Sequence, residues 1–195
     1  NIKDLKNQIN IEEIKKYSLL GTINFYNTEV NLENVYFDKI YSEDALNIIS
    51  SKKFLLKNLY FNNIYSDAID IDYGNGKMNN IYCNNINNDA LDFSKSKVEL
   101  KNIFAEKIGD KIISAGENSN IKISNLNGKN SNIAIASKDG SIVELENFNL
   151  ENNQYNFASY IKKKGYPTPS IKIAKSNNFI FHDSGILKDQ DSKIF

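Results

Sequence analysis

Apolar residues recur along this chain in a fixed pattern built around asparagine. Asn34, Asn58, Asn80, Asn102, Asn125 and Asn147 stand 24, 22, 22, 23 and 22 residues apart. Two and four residues earlier come apolar pairs, as in Leu32 and Val30, Leu56 and Phe54, Leu100 and Val98, Ile123 and Ile121, Leu145 and Val143. One residue later come Val35, Leu59, Ile81, Ile103, Leu126 and Phe148, and Phe37, Phe61 and Cys83 continue the alternation. Period-two alternation on both sides predicts two short strands, each with one buried face. The phase slips at the Asn, so the chain bends there while both strands keep facing one interior. Asn suits that bend because it tolerates the left-handed region, and its amide can bond the Asn of the coil above or below.

A unit of about 22 residues leaves no room for the dozen-residue crossover of a doubly wound α/β fold. The leucine spacing of a leucine-rich repeat is also missing. What remains is an all-β fold: a right-handed parallel β-helix of about seven coils, stacked about 4.8 Å apart with an Asn ladder at one corner. Other columns share the period. Asp44, Asp67, Asp89 and Asp110 each open a similar segment, Ser50, Asp72, Ser94, Glu117 and Asp139 form a further column, and Ser96, Ser119 and Ser141 supply hydroxyls.

The ends depart from the repeat. Residues 1–19 read as an N-terminal cap or incomplete coil, with a short amphipathic helix over 1–17 as one form of it. Residues 20–195 read as the β-helix, interrupted at about 160–169 by an insertion holding the only two prolines. The chain begins with Asn1 and ends at Phe195 without an obvious cap, which suggests a part of a longer chain.

Charge narrows the partners. Lys+Arg and Asp+Glu both number 24 and every cation is a lysine, so neither nucleic acid nor an anionic membrane is expected as partner. Without arginine there is no bidentate fork for carboxylate or phosphate. No run approaches the roughly 20 apolar residues of a membrane span. The single cysteine, Cys83, falls at an inward strand position and reads as a buried thiol.

The succession SEDALNI, SDAIDIDYGNG, NDALDFSKSKV, GDKIISAGENS, IASKDGS and YIKKKGY, one motif per coil, resembles the β-helix region of secreted bacterial proteins. Some of those proteins also carry a spore-coat-H-like kinase-type domain, which these residues do not contain. The broader resemblance is to the pectin-lyase-like right-handed β-helix superfamily. It implies the fold and a secreted or cell-surface setting, and it supplies no defined activity.

Candidate chemistry sits in the acidic columns. Asp70 and Asp92 hold equivalent outward positions one coil apart, with Asp72 two residues along, and such carboxylates call for a cation, a lysine or a shared proton. Calcium at Asp70, Asp72 and Asp92 is one answer; a solvated acidic ridge neutralised by lysine is the other. Lys111 and Lys138, each beside an acid, are candidate bases for abstracting the proton alpha to a uronate carboxylate, as in a Ca-dependent polysaccharide lyase or epimerase. Their alternative role is charge cancellation. Asp67, Asp89 and Asp92 can be assembled into the acid pair of a glycosidase, as any stack of repeated acids allows. Asp89, Glu117, Asp139 and Tyr73 are candidate ligand-binding residues. Most Tyr and Phe fall inward or beside the Asn ladder, where core stacking accounts for them; Tyr73, Tyr155, Tyr160 and Tyr166 are the loop candidates for stacking on sugar. No arrangement identifies a reaction, so the preferred expectation is an extracellular domain that is structural or carbohydrate-binding without catalysis.

Overall fold

Three left-handed corners per coil turn this chain into a triangular prism. The computed structural model describes residues 2–3, 19–174 and 185–195. The first corner column is Asn34, Asn58, Asn80, Asn102 and Asn125, with φ between 52° and 70°. The second is Lys39, Asn63, Asn85, Lys107, Asn130 and Asn152, and the third Asn27, Ser50, Tyr73, Lys95, Glu117 and Asp139, all at positive φ. Each such residue costs an ordinary L side chain about 1–2 kcal/mol, least for Asn, which is why Asn fills so many of these places. Side-chain amides offset part of that cost. Asn58 donates to Asn34 at 2.9 Å, Asn80 to Asn58 at 2.9 Å, Asn102 to Asn80 at 3.0 Å and Asn125 to Asn102 at 2.9 Å.

Between corners run strands that pair in parallel with the coil before and the coil after. Val30–Ile40 pairs with Phe54–Ile64, that with Asn75–Ile86, and that with Lys97–Gly116, followed by Asn120–Lys138. Each of these strands covers the first face, which ends at the Asn34 column, and the second face, between that corner and the Lys39 column; the two longest run on into the third. The third face is built by Gly21–Tyr26, Asp44–Ile49, Asp67–Asp72, Leu91–Ser94, the ends of the two longest strands, and Tyr155–Tyr160. The result is a parallel β-solenoid of about seven turns. Among the described residues no helix is long and apolar enough to cross a membrane.

The interior is a stack of matched apolar side chains. Phe37 lies on Phe61 with ring centroids 4.5 Å apart and planes within 8°, and Cys83 and Ala105 continue that column. Burial pushes the Cys83 thiol up to about 12, which leaves it a core residue rather than a nucleophile. Gly76 is needed where it stands: a Cβ there would meet the Phe54 carbonyl oxygen at 2.4 Å and its ring at 2.5 Å. Buried hydroxyls stitch the third corner, as Gly74 N donates to Ser96 Oγ, Ser96 N to Ser119 Oγ and Ser119 N to Ser141 Oγ at 2.9–3.1 Å.

Three registers differ from the sequence reading. Asn147 is not among the left-handed residues, so the ladder ends at Asn125. Asp110 is out of the aspartate column: Leu91 pairs with Ile113 and Asp92 with Ser114, which puts Lys111 above Asp89. Asp72 and Ser94 pair with each other within the third face, one position before the corner column that contains Ser50, Glu117 and Asp139. The expected capping helix over 1–17 lies mostly outside the described residues, as does the stretch 175–184 of the expected β-helix. Ile2–Lys3 form a short strand against Phe37 and Asp38. Residues 161–169 form the irregular insertion, closed by the strand Ser170–Ile173.

Candidate functional site

The faces of the prism carry different chemistry because each outward column repeats its residue type. On the third face one column runs Asn24, Asn47, Asp70, Asp92, Ser114, Ala136 and Ala158. Beside it Asp44 pairs with Asp67, and Lys111 with Ile133, which in turn pairs with Tyr155. Asp89 links the two halves, its amide donating to Asp67 Oδ1 while its own Oδ1 accepts the Lys111 amide, both at 2.9 Å. With Asp72 two residues after Asp70, six aspartates thus cluster on successive coils, closed on one side by Asn47 and on the other by Lys111 and Lys138.

Three of these acids are shielded from water: Asp44 is 2 %, Asp89 4 % and Asp67 9 % exposed, while Asp70, Asp72 and Asp92 are half-buried. Burial, with the carboxylates of Asp72, Asp44, Asp92 and Asp67 nearby, pushes Asp70 up to about 9. Burial raises Asp44 to about 7 against the opposing hydrogen bond from Asn47, and raises Asp67 to about 6. Asp72 and Asp89 are also raised, first by burial. Asn47 Nδ2 bridges Asp44 and Asp70 at 3.0 Å to each. Protonation therefore relieves the repulsion at Asp70 around neutral pH. Among the described residues, no three His, Cys, Asp or Glu side chains are placed to hold one metal ion. The three carboxylates expected to bind calcium are neighbours in register without forming such a group.

Lys111 is an ion-pair residue. Its ammonium stands 3.3 Å from Asp89 and also contacts Asp110. Burial works to lower its pKa, but Asp89 and Asp110 more than offset this and hold it above the usual lysine value. A general base needs the opposite shift. Lys138 donates to Ser114 Oγ at 2.7 Å and lies 3.9 Å from Asp92, and it too is buried. Beyond the lysines the face turns apolar, with Tyr155 and Tyr160 packed on Ile133, Ala136 and Ala158.

The candidate ligand-binding residues are engaged within the chain. Asp139 Oδ1 accepts the amides of Lys162 and Lys163 at 2.6 and 2.7 Å, anchoring the 161–169 insertion. Glu117 pairs with Lys163 and, at 3.8 Å, with Lys95; the hydrogen bond from Lys163 leads in holding it below the usual glutamate value. Lys95 in turn donates to the Tyr73 hydroxyl at 3.2 Å and sits 5.0 Å from its ring centre.

The second face was not singled out by sequence reasoning as a site, and it is open. Tyr36, Tyr60, Tyr82 and Phe104 follow one another in register, each two residues after a ladder asparagine. Tyr60 and Tyr82 stack at 4.6 Å and Tyr82 and Phe104 at 4.9 Å, with planes within 6°. Centroid spacings of this size are those of offset stacking, and the outer margins of the rings face solvent. Tyr60 is 39 % and Phe104 40 % exposed. A line of polar groups runs alongside: Asn62 donates to Asp38 at 3.0 Å, Asn84 to Asn62 at 2.8 Å, and Lys129 meets Glu106 at 3.2 Å. Together they line a groove of about 520 Å³.

Comparison with family models, curated proteins and solved structures finds no match. The functional reading therefore rests on this geometry. The signal for the aromatic strip is present as Tyr or Phe two positions after Asn34, Asn58, Asn80 and Asn102, an outward phase that core stacking does not account for.

Proposed function

We propose that this β-helix is a non-catalytic carbohydrate-binding domain of the cell exterior, which lays an extended glycan along the strip Tyr36, Tyr60, Tyr82 and Phe104. The observation that carries the reading is the pairing of a continuous, half-open aromatic strip with a parallel line of amide and charged groups. Sugar rings need both an apolar surface for their C–H faces and hydrogen-bond partners for their hydroxyls. Regular spacing along the rod suits a polymer better than a small molecule. The acidic face offers less, because its lysines are buried and paired, and a lyase needs a reachable base.

Replacing Tyr60 and Tyr82 together by valine keeps strand-forming residues while removing the rings. In affinity electrophoresis against soluble neutral glycans such as xyloglucan, galactomannan and hydroxyethylcellulose, the unaltered protein is expected to be retarded by at least one. The double variant should migrate freely in the same gel. Unretarded migration of the unaltered protein in every gel would leave a structural role in place of binding.

A further inference from the structure

A second, chemically distinct groove lies where the first face meets the third corner. It measures about 410 Å³ and is lined by Lys52, Lys53, Lys77, Lys97 and Lys122, with Glu99 the one acid in its wall. The whole chain is neutral, so this excess of cations is a local property of the fold.

Register explains the excess. On the first face Lys77, Glu99, Lys122, Glu144 and Lys172 succeed one another coil by coil, and contacts of 2.7 Å (Lys77–Glu99), 3.5 Å (Lys122–Glu144) and 3.3 Å (Lys172–Glu144) satisfy them internally. The neighbouring column reads Glu29, Lys53, Asn75, Lys97, Asn120 and Ile142. Asparagine, rather than glutamate, separates its two lysines. Lys52, Lys53 and Lys97 consequently form no ion pair within 4 Å among the described residues. Lys53 and Lys97 thus stand two coils apart, about 10 Å along the rod, with an amide between. Leu55, 42 % exposed, gives the groove an apolar floor.

The geometry points to an anionic polysaccharide as the ligand of this groove, an extended chain that turns a carboxylate or sulfate toward the groove on alternate sugars. The two-coil separation matches charge presented to one side once per two sugars, and the amides and apolar floor match the hydroxyls and ring faces between. A nucleic acid fits less well, since the chain holds no arginine for phosphate forks and the groove has no stacking platform for bases. The assignment takes its ligand class from the glycan-binding reading, but it uses different residues on a different face.

That separation makes the test decisive for each. Binding of alginate, dextran sulfate, unsulfated dextran and inorganic polyphosphate is measured by calorimetry at low and at physiological ionic strength. Two variants are compared with the unaltered chain: Lys52→Gln/Lys53→Gln/Lys97→Gln and Tyr60→Val/Tyr82→Val. The lysine variant should bind alginate or dextran sulfate at least about tenfold more weakly, and added salt should weaken the unaltered protein's binding. The tyrosine variant should keep that binding, and unsulfated dextran should not compete for the groove. The alginate and dextran sulfate arms separate carboxylate from sulfate recognition. Unchanged binding in the lysine variant, no binding of either acidic glycan by the unaltered chain, or equal binding of polyphosphate at matched charge would overturn the assignment. None of these outcomes bears on the aromatic strip, whose failure appears only in the neutral-glycan gels.

Discussion

Acidifying the solution from about pH 8 to about pH 5 is expected to stabilise this protein, the reverse of the usual acid response. In the folded chain Asp70 titrates at about 9, Asp44 at about 7 and Asp67 at about 6. In the unfolded chain each returns to a value near 3.9. Between those limits the folded state holds protons that the unfolded state has released, so stability falls as pH rises. One group titrating over three pH units contributes about 4 kcal/mol. For a chain of this size that corresponds to a melting temperature higher by on the order of 10 °C at the acidic end. Asp72, Asp92 and Asn47 face Asp70 on this patch, Lys95 acts on Asp72, and Lys111 with Lys138 acts on Asp89. Thermal melts followed by circular dichroism across this range test the expectation. Asp70→Asn should flatten about half of the slope by raising stability at the alkaline end. A melting temperature that is constant, or higher at pH 8, would mean that these carboxylates ionise without penalty.

The next largest effect is expected at Lys111. Changing it to methionine keeps the aliphatic stem and removes the ammonium that Asp89 faces at 3.3 Å. Asp89 is 4 % exposed and remains tied to the Lys111 backbone amide at 2.9 Å, so its charge cannot move to water. Breaking a buried pair in this way costs about 3–5 kcal/mol, as long as Asp89 is ionised. The cost should shrink at acidic pH, where Asp89 takes up a proton instead. Urea unfolding of Lys111→Met at two pH values measures both parts, and adding Asp89→Asn should recover much of the loss. A Lys111→Met protein as stable as the unaltered chain would remove the ion-pair role and return Lys111 to candidacy as a base.

How much of this could be read beforehand depended on how narrowly the backbone restricts each position. The corner at Asn34, Asn58, Asn80, Asn102 and Asn125 was legible because a left-handed residue inside an amide ladder demands asparagine. A second corner, five residues later at each coil, has the same spacing but escaped notice. Lys39 and Lys107 interrupt its asparagines, and a single left-handed residue is affordable for many side chains. Alternation likewise placed Cys83 and Asp70 on their correct sides. It could not detect the shift that seats Lys111 above Asp89, because Asp110 and Lys111 are both polar and a one-residue slip there leaves the pattern intact. Nor could it say which outward face is shielded. The third face is outward in phase yet largely buried, whereas the aromatic strip is outward and open, and only the packed fold distinguishes them.

Glycan binding by the aromatic strip is tested most directly by nuclear magnetic resonance of the protein labelled at its 11 tyrosines. Titration with a glycan that retards the protein should shift the ring signals of Tyr36, Tyr60 and Tyr82, leaving those of Tyr41 and Tyr65 at the adjoining edge and of Tyr155 and Tyr160 on the third face in place. Movement confined to Tyr73, Tyr155 or Tyr160, or no movement at any tyrosine under saturating glycan, would contradict it.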